Sequence, residues 1–279
     1  MIVVTGATGQ LGRHVIEGLK AQVPAERIVA AVRSPEKAAD LGVTVRKADY
    51  NDPASLDAAF AGAEKVLLIS GNEVGRRVPQ HKAVVDAAKR AGVSLLAYTS
   101  APKADTSPLI LAPEHKATEE LIRDSGLPYT ILRNGWYNEN YEQTIKQAAE
   151  TGGFVGSSGQ GKVASATRAD YAAAAVAVLT GEGHENKIYE LSGDTAWTSE
   201  DLAAEIAKAT GKPVTYTDLT PEQHKAALLH AGLPEGTAEF VVALDGNRKD
   251  GLLALVTGEL RELIGRPTTP ISETVAALV

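Results

Sequence analysis

The chain of 279 residues contains no cysteine. That excludes disulfides, thiolate nucleophiles and cysteine-bound zinc, and it fits a cytoplasmic protein. Long apolar runs are also missing, so no membrane-spanning segment is expected. Positive charge is in short supply. Lys and Arg number 28 against 35 Asp and Glu, for a formal net charge of −7, which argues against nucleic acid as the main partner. The first residues run straight into an apolar strand, so no leader peptide is expected. No internal repeat or low-complexity tract occurs. His14, His81, His184, His224 and His230 show no spacing suited to a metal. What is left is a globular composition, long enough for one large domain or a domain with a smaller lobe.

Glycine is present where it matters. Ile2-Val3-Val4-Thr5 reads as a buried parallel strand. Gly6-Ala7-Thr8-Gly9-Gln10-Leu11-Gly12 follows at once, and Leu11, Val15, Ile16 and Leu19 then recur at helical spacing. Strand, glycine turn and helix are the context of a phosphate-binding loop. Gly6 allows the turn, Gly9 lets a pyrophosphate approach the backbone, and Gly12 lets the helix pack closely. The helix start favours an anion. A glycine triplet by itself is weak evidence, since turns collect glycine for other reasons; the flanking elements carry the reading.

A second strand, Ile28 to Val32, ends at Arg33. An NAD-binding fold usually has an acidic residue there for the ribose 2′-hydroxyl. The arginine instead suits a 2′-phosphate, with Ser34 as cap and Pro35 opening a helix. A solvated loop arginine is the plainer alternative. Val43 to Val45 is a third strand, running on to Asp49 and Tyr50, which either contact adenine or, for Asp49, stabilise the turn before a helix capped by Asp52. Val66 to Ile69 is a fourth strand, ending in the small residues Ser70, Gly71 and Asn72, where a ribose can lie close. Helix Pro79 to Ala91, strand Leu95 to Tyr98, an irregular segment 102–113 with the features of a flap, helix Glu114 to Asp124 and strand Tyr129 to Leu132 follow.

This alternation indicates an α/β fold of Rossmann type, a doubly wound parallel sheet. Residues 1–151 are expected to form the NAD(P)-binding domain. Residues 152–279 are mainly a smaller α/β substrate lobe, with 163–193 returning to the first domain. Gly152 to Gly161 reads as loop with a short strand. Thr167 opens a helix to about Leu179, Lys187 to Leu191 is a strand, Thr198 starts a capped helix, Val214 to Leu219 is a strand, and mainly short helices follow. The substrate belongs in the cleft outside the C-terminal ends of the strands.

The glycine loop, Ala48-Asp49-Tyr50, Val74-Gly75, Pro79-Gln80-His81, Ala97-Tyr98-Thr99-Ser100, Ala104 to Leu109, Leu132-Arg133-Asn134-Gly135-Trp136-Tyr137 and Ser165 to Tyr171 together resemble bacterial type 2 NAD(P)H:quinone oxidoreductases. These form part of the NmrA-like atypical branch of the short-chain dehydrogenase/reductase superfamily. The resemblance spans nearly the whole chain. It implies NADPH, no flavin, and hydride transfer to small quinones; a homodimer is compatible with it. Carried over, it puts Gly6, Thr8, Gly9, Gln10 and Leu11 at the pyrophosphate and Arg33 at the 2′-phosphate. Ser70, Gly71 and Asn72 flank the ribose. Asn134, Gly135, Trp136, Tyr137, Asn138 and Glu139 border the nicotinamide, and His81 and Thr167 stand near the cofactor.

One absence bears on the chemistry. Most short-chain dehydrogenases use Tyr-x-x-x-Lys as general acid. The corresponding stretch here, Leu111-Ala112-Pro113-Glu114-His115-Lys116, has no tyrosine. A quinone is a strong hydride acceptor, so positioning can supply much of its reduction. His115 either orients or protonates the substrate, or is simply a polar residue in a helix's first turn. Trp136 and Tyr137 are either loop anchors or a flat aromatic wall for a planar substrate near Asn138, and Tyr137 is a second candidate proton donor. The missing tyrosine also leaves open an NADP-binding redox sensor without catalysis. Reduction of other conjugated acceptors (enones, imines, dyes) is a third reading.

Overall fold

The computed structural model describes residues 1–279. Its strands are β1 (Ile2–Thr5), β2 (Ile28–Val32), β3 (Thr44–Lys47), β4 (Lys65–Leu68), β5 (Leu95–Ser100), β6 (Tyr129–Asn134), β7 (Gly153–Gly156), β8 (Lys187–Leu191) and β9 (Thr215–Asp218). The helices are α1 (Gln10–Lys20), α2 (Pro53–Phe60), α3 (Arg77–Ala91), α4 (Ala112–Asp124), α5 (Glu142–Thr151), α6 (Arg168–Thr180), α7 (Ser199–Thr210), α8 (Pro221–His230), α9 (Glu235–Lys249), α10 (Glu259–Ile264) and α11 (Ile271–Leu278).

Seven strands form one parallel sheet in the order β3-β2-β1-β4-β5-β6-β8. Strands β1 and β2 are buried along their whole length and read as unbroken apolar runs, as a sheet covered on both faces requires. Edge strand β3 carries the partly exposed Thr44-Val45-Arg46-Lys47, which blunts pairing with another chain. Helices α1 and α6 cover one face, where Val15, Ile16, Tyr171 and Ala175 join a single core. They cross closely at Gly18, where an added Cβ would lie 2.9 Å from Val176 Cγ2. The other face is covered by α2, α3 and α4 through Leu56, Phe60, Val84 and Ile122.

Strands β7 and β9 pair in a separate two-stranded parallel sheet. A third core, with Ile145, Trp197, Leu202 and Val275, ties this sheet's helices to Leu109 and Ala101 at the end of β5. Strand order reverses between β1 and β4, so the crevice opens outside their C-terminal ends. No helix is long and apolar enough to cross a membrane.

Candidate functional site

The turn after β1 fits the expected cradle. Gly6 takes a left-handed φ of 61°, and Gly9 N–H donates to Gly6 O at 2.9 Å. No side chain caps α1 at Gly9, so the helix start faces the crevice with free N–H groups. At Gly12 an added Cβ would stand 2.7 Å from Ala7 Cα and closer still to Gly6 O. The helix therefore rests directly on the turn, which leaves no room for any other residue there.

One cavity of about 760 Å³ runs from this turn across the ends of β2, β4 and β6. Gly6, Thr8, Gly9, Gln10, Leu11 and Gly12 line its middle. Arg33, Asp49 and Tyr50 line one end, and Ser70, Gly71 and Asn72 the roof. His115, Asn134, Gly135, Trp136 and Tyr137 line the other end. Arg33 is 70% exposed and reaches Glu73 Oε1 at 3.4 Å. Ser34 and Lys37 stand beside it, although Ser34 makes no capping hydrogen bond and the expected helix is one 3₁₀ turn, Pro35–Ala38. Asp49 lines the cavity, and its Oδ1 accepts from Asn51 N–H at 2.9 Å, which stabilises the turn before α2. The Tyr50 hydroxyl lies 2.6 Å from Thr5 Oγ1, and burial pushes its ionisation well above the usual range.

The opposite end holds the groups able to move or hold a proton. His115 Nδ1 is 2.7 Å from the hydroxyl of Tyr98. Burial keeps Tyr98 protonated and, with the charge of Arg77, holds His115 neutral by pushing its pKa down to about 3. The contact with Tyr98 engages Nδ1, so Nε2 is the ring nitrogen left for another partner. A neutral His115 has no imidazolium proton to give near neutral pH. Tyr137 Oη lies 3.4 Å from Asn134 Nδ2, with the Arg168 guanidinium 4.7 Å over its ring and Tyr171 edge-on at 5.2 Å. Burial raises the Tyr137 pKa. Because the Asn134 amide donates to Oη, the phenolic proton is left for another acceptor. Asn134 Oδ1 is buried without a partner, as is Asn138 Oδ1.

Four residues expected at the cofactor stand outside the cavity. His81 is fully buried behind the roof. Its Nε2 accepts from Gly71 N–H at 3.0 Å and its Nδ1 lies 3.0 Å from Thr118 Oγ1, so it shapes the Gly71 loop without reaching a ligand. Asn138 is fully buried and turned away, its Nδ2 donating to Thr269 O and Thr274 Oγ1. A 3₁₀ turn, Asn138–Tyr141, causes that rotation, and it removes Asn138 from the substrate wall too. Glu139 accepts from Arg168 N–H at 2.9 Å. Thr167 is the cap of α6 in a reciprocal pair with Asp170.

The sequence reading missed Arg168, Glu73, Lys37, Leu109 and Leu253, all of which line the cavity. Arg168 stands at the start of α6, next to the capping signal that was readable. The segment between β5 and α4 is tied down at several points. Lys103 N–H donates to Glu190, Asp105 meets Arg133 at 2.9 Å, and Ile110 N–H donates to Asn247 Oδ1. Arg133 also pairs with buried Glu119 and with Glu190, each at 2.7 Å, and these two carboxylates hold its charge against the cost of burial.

Residues 1–263 match the NmrA-like family. The chain is 54% identical over 281 residues to quinone oxidoreductase 2 of Escherichia coli (strain K12), covering 100% of this chain and 98% of that protein. It superposes with a TM-score of 0.96 on the crystal structure of the Escherichia coli NADPH-dependent quinone oxidoreductase complexed with NADPH, at 54% identity, covering 100% of this chain and 99% of that one. The triphenylmethane reductase of Citrobacter sp., complexed with NADP(H), gives a TM-score of 0.96 at 43% identity, covering 100% of both chains.

Proposed function

This chain belongs to the NmrA-like family, and we propose that it is an NADPH-dependent oxidoreductase that reduces small quinones directly, without a flavin. The carrying observation is the single cavity, which joins a phosphate cradle, a cationic end at Arg33 and Lys37, and an aromatic end at Trp136 and Tyr137. The 54% identity to a quinone oxidoreductase supports the substrate class.

The residues present fit the cofactor. The glycine cradle that a Cβ would fill suits a pyrophosphate, and the orphaned Asn134 Oδ1 suits an amide donor. When bound, NADPH supplies a hydride from its nicotinamide ring; a quinone takes that hydride and one proton to become a hydroquinone. Tyr137 Oη holds the proton, and the Asn134 amide fixes the direction in which it is given. The Arg168 charge over the ring favours the phenolate that forms. Neutral His115 offers a second hydrogen bond through Nε2. Trp136, Leu109 and Leu253 close that end with apolar surface, which excludes water and holds a planar ring.

Oxidation of NADPH is followed by absorbance with benzoquinone or a naphthoquinone, without flavin, with NADH in parallel. Saturable turnover that prefers NADPH is expected. Tight NADPH binding without turnover on quinones, dyes or enones would replace this reading with a cofactor sensor.

A further inference from the structure

The loop after β4 carries a carboxylate aimed at the one cation assigned to the 2′-phosphate. Arg33 leaves the end of β2 and Glu73 leaves the end of β4, on opposite sides of β1 in the sheet. Their 3.4 Å contact therefore crosses above the glycine turn, inside the cavity both residues line. The other Glu73 oxygen accepts from Gln80 Nε2 at 3.0 Å. Gln80 is 5% exposed and belongs to α3, so the carboxylate is held in place from the protein side. A second crossing runs from Arg76 to Asn51 Oδ1 at 3.1 Å.

The loop's rear attachment is of a different kind. Gly75 N–H donates to Glu114 Oε1 at 2.9 Å, and Arg77, 6% exposed, meets Glu114 Oε2 at 3.2 Å. The loop is thus anchored on α4 by Glu114, 21% exposed and paired with the buried Arg77 of α3, whereas its hold on Arg33 is made by groups 70% and 37% exposed. Exposed pairs of that kind are readily exchanged for a stronger partner.

We propose that Glu73 is a specificity-determining residue: it competes with the cofactor's 2′-phosphate for Arg33 and so sets how strongly the protein prefers phosphorylated over unphosphorylated dinucleotide. The proposal rests on the reading of Arg33 as the 2′-phosphate ligand. A 2′-phosphate brings about −1.5 to −2 charges to a guanidinium already held by a carboxylate. Like charges sharing one partner repel, and the cost falls on the phosphorylated cofactor alone. A 2′-hydroxyl carries no charge, so it meets no repulsion and can donate to Glu73. The residue thereby narrows a discrimination that Arg33 alone would make wider.

Calorimetry with adenosine 2′,5′-bisphosphate and with AMP isolates this end of the cavity from the redox chemistry. Glu73→Gln keeps the Gln80 contact within reach and removes the charge. It is expected to tighten the bisphosphate about three- to tenfold at low salt while leaving AMP unchanged or weaker, with the gain shrinking as salt rises. In an Arg33→Ala background, which itself weakens the bisphosphate, the Glu73→Gln gain should vanish, because the two residues act on one group. Equal changes for both nucleotides, a weaker bisphosphate, or a gain that survives in the Arg33→Ala background would overturn the proposal. Wild-type protein that binds AMP as tightly as the bisphosphate would overturn the Arg33 assignment, and the proposal with it. The expected binding pattern in a protein that turns over no quinone would leave the proposal standing and remove the activity.

Discussion

At the scale of single residues, the account turns on which group gives up a proton. Tyr137 keeps its hydrogen because burial raises its pKa, and Asn134 occupies its oxygen from the other side. Tyr137→Phe keeps the ring against Arg168 and Tyr171. It should lower kcat by about a hundredfold while NADPH affinity, measured by fluorescence titration, stays within about twofold. An unchanged kcat would pass the role to water. The glycine turn was readable because it acts through its own backbone, and Arg33, read from its place after β2, lines the same cavity. His81, Asn138, Glu139 and Thr167 do not line the cavity. Position along the chain says nothing about side-chain direction: a 3₁₀ turn and buried hydrogen bonds hold Asn138 and His81 elsewhere, Glu139 accepts from Arg168 N–H, and Thr167 caps α6. Arg168 lies in a stretch quoted for other reasons and Glu73 between two quoted stretches, and only the folded sheet brings them to the cavity.

Among the elements, strands were the most legible part. A parallel sheet covered on both faces needs unbroken apolar runs, and β1, β2, β4 and β5 have them. The helix starts read at Thr167 and Thr198 became reciprocal caps with Asp170 and Asp201. Helix α5 left no comparable trace, since it buries only Ile145 and Ala148. The same holds for the fifteen-residue α9, which buries Ala238 and Arg248 alone. The junction of β1 and α1 is where element packing and function meet. Gly12→Ala forces the helix off the turn, at a cost of about 1–3 kcal/mol typical of overpacking. Urea unfolding should show that loss, and NADPH binding should fall more steeply than stability, because the N–H groups of α1 move with the helix. A variant as stable as wild type that binds NADPH normally would contradict the packing described.

For the whole molecule, one cavity along the C-terminal ends of the large sheet joins the proposed cofactor and substrate ends. Acid tests how that cavity is built. His81 and His115 both have pKa values pushed down from 6.5 to about 3, mainly by burial. A depressed native pKa means that the unfolded chain binds the proton first. Their contribution to stability is therefore full above about pH 6.5 and is lost as pH falls from there toward 3. Unfolding near pH 5 should take up about two protons from this pair, read as a steep fall of Tm with acid that His81→Gln makes shallower. A Tm that does not move between pH 7 and 4.5 would contradict the burial of these imidazoles. The central claim is direct reduction of a quinone in one cavity, and a single-turnover measurement reaches it most directly. Flavin-free protein charged with one equivalent of NADPH is mixed anaerobically with a naphthoquinone in a stopped-flow instrument. The account predicts loss of the NADPH absorbance in one saturable phase with an equal amount of hydroquinone formed. Bound NADPH that persists unchanged in the presence of quinone would contradict it.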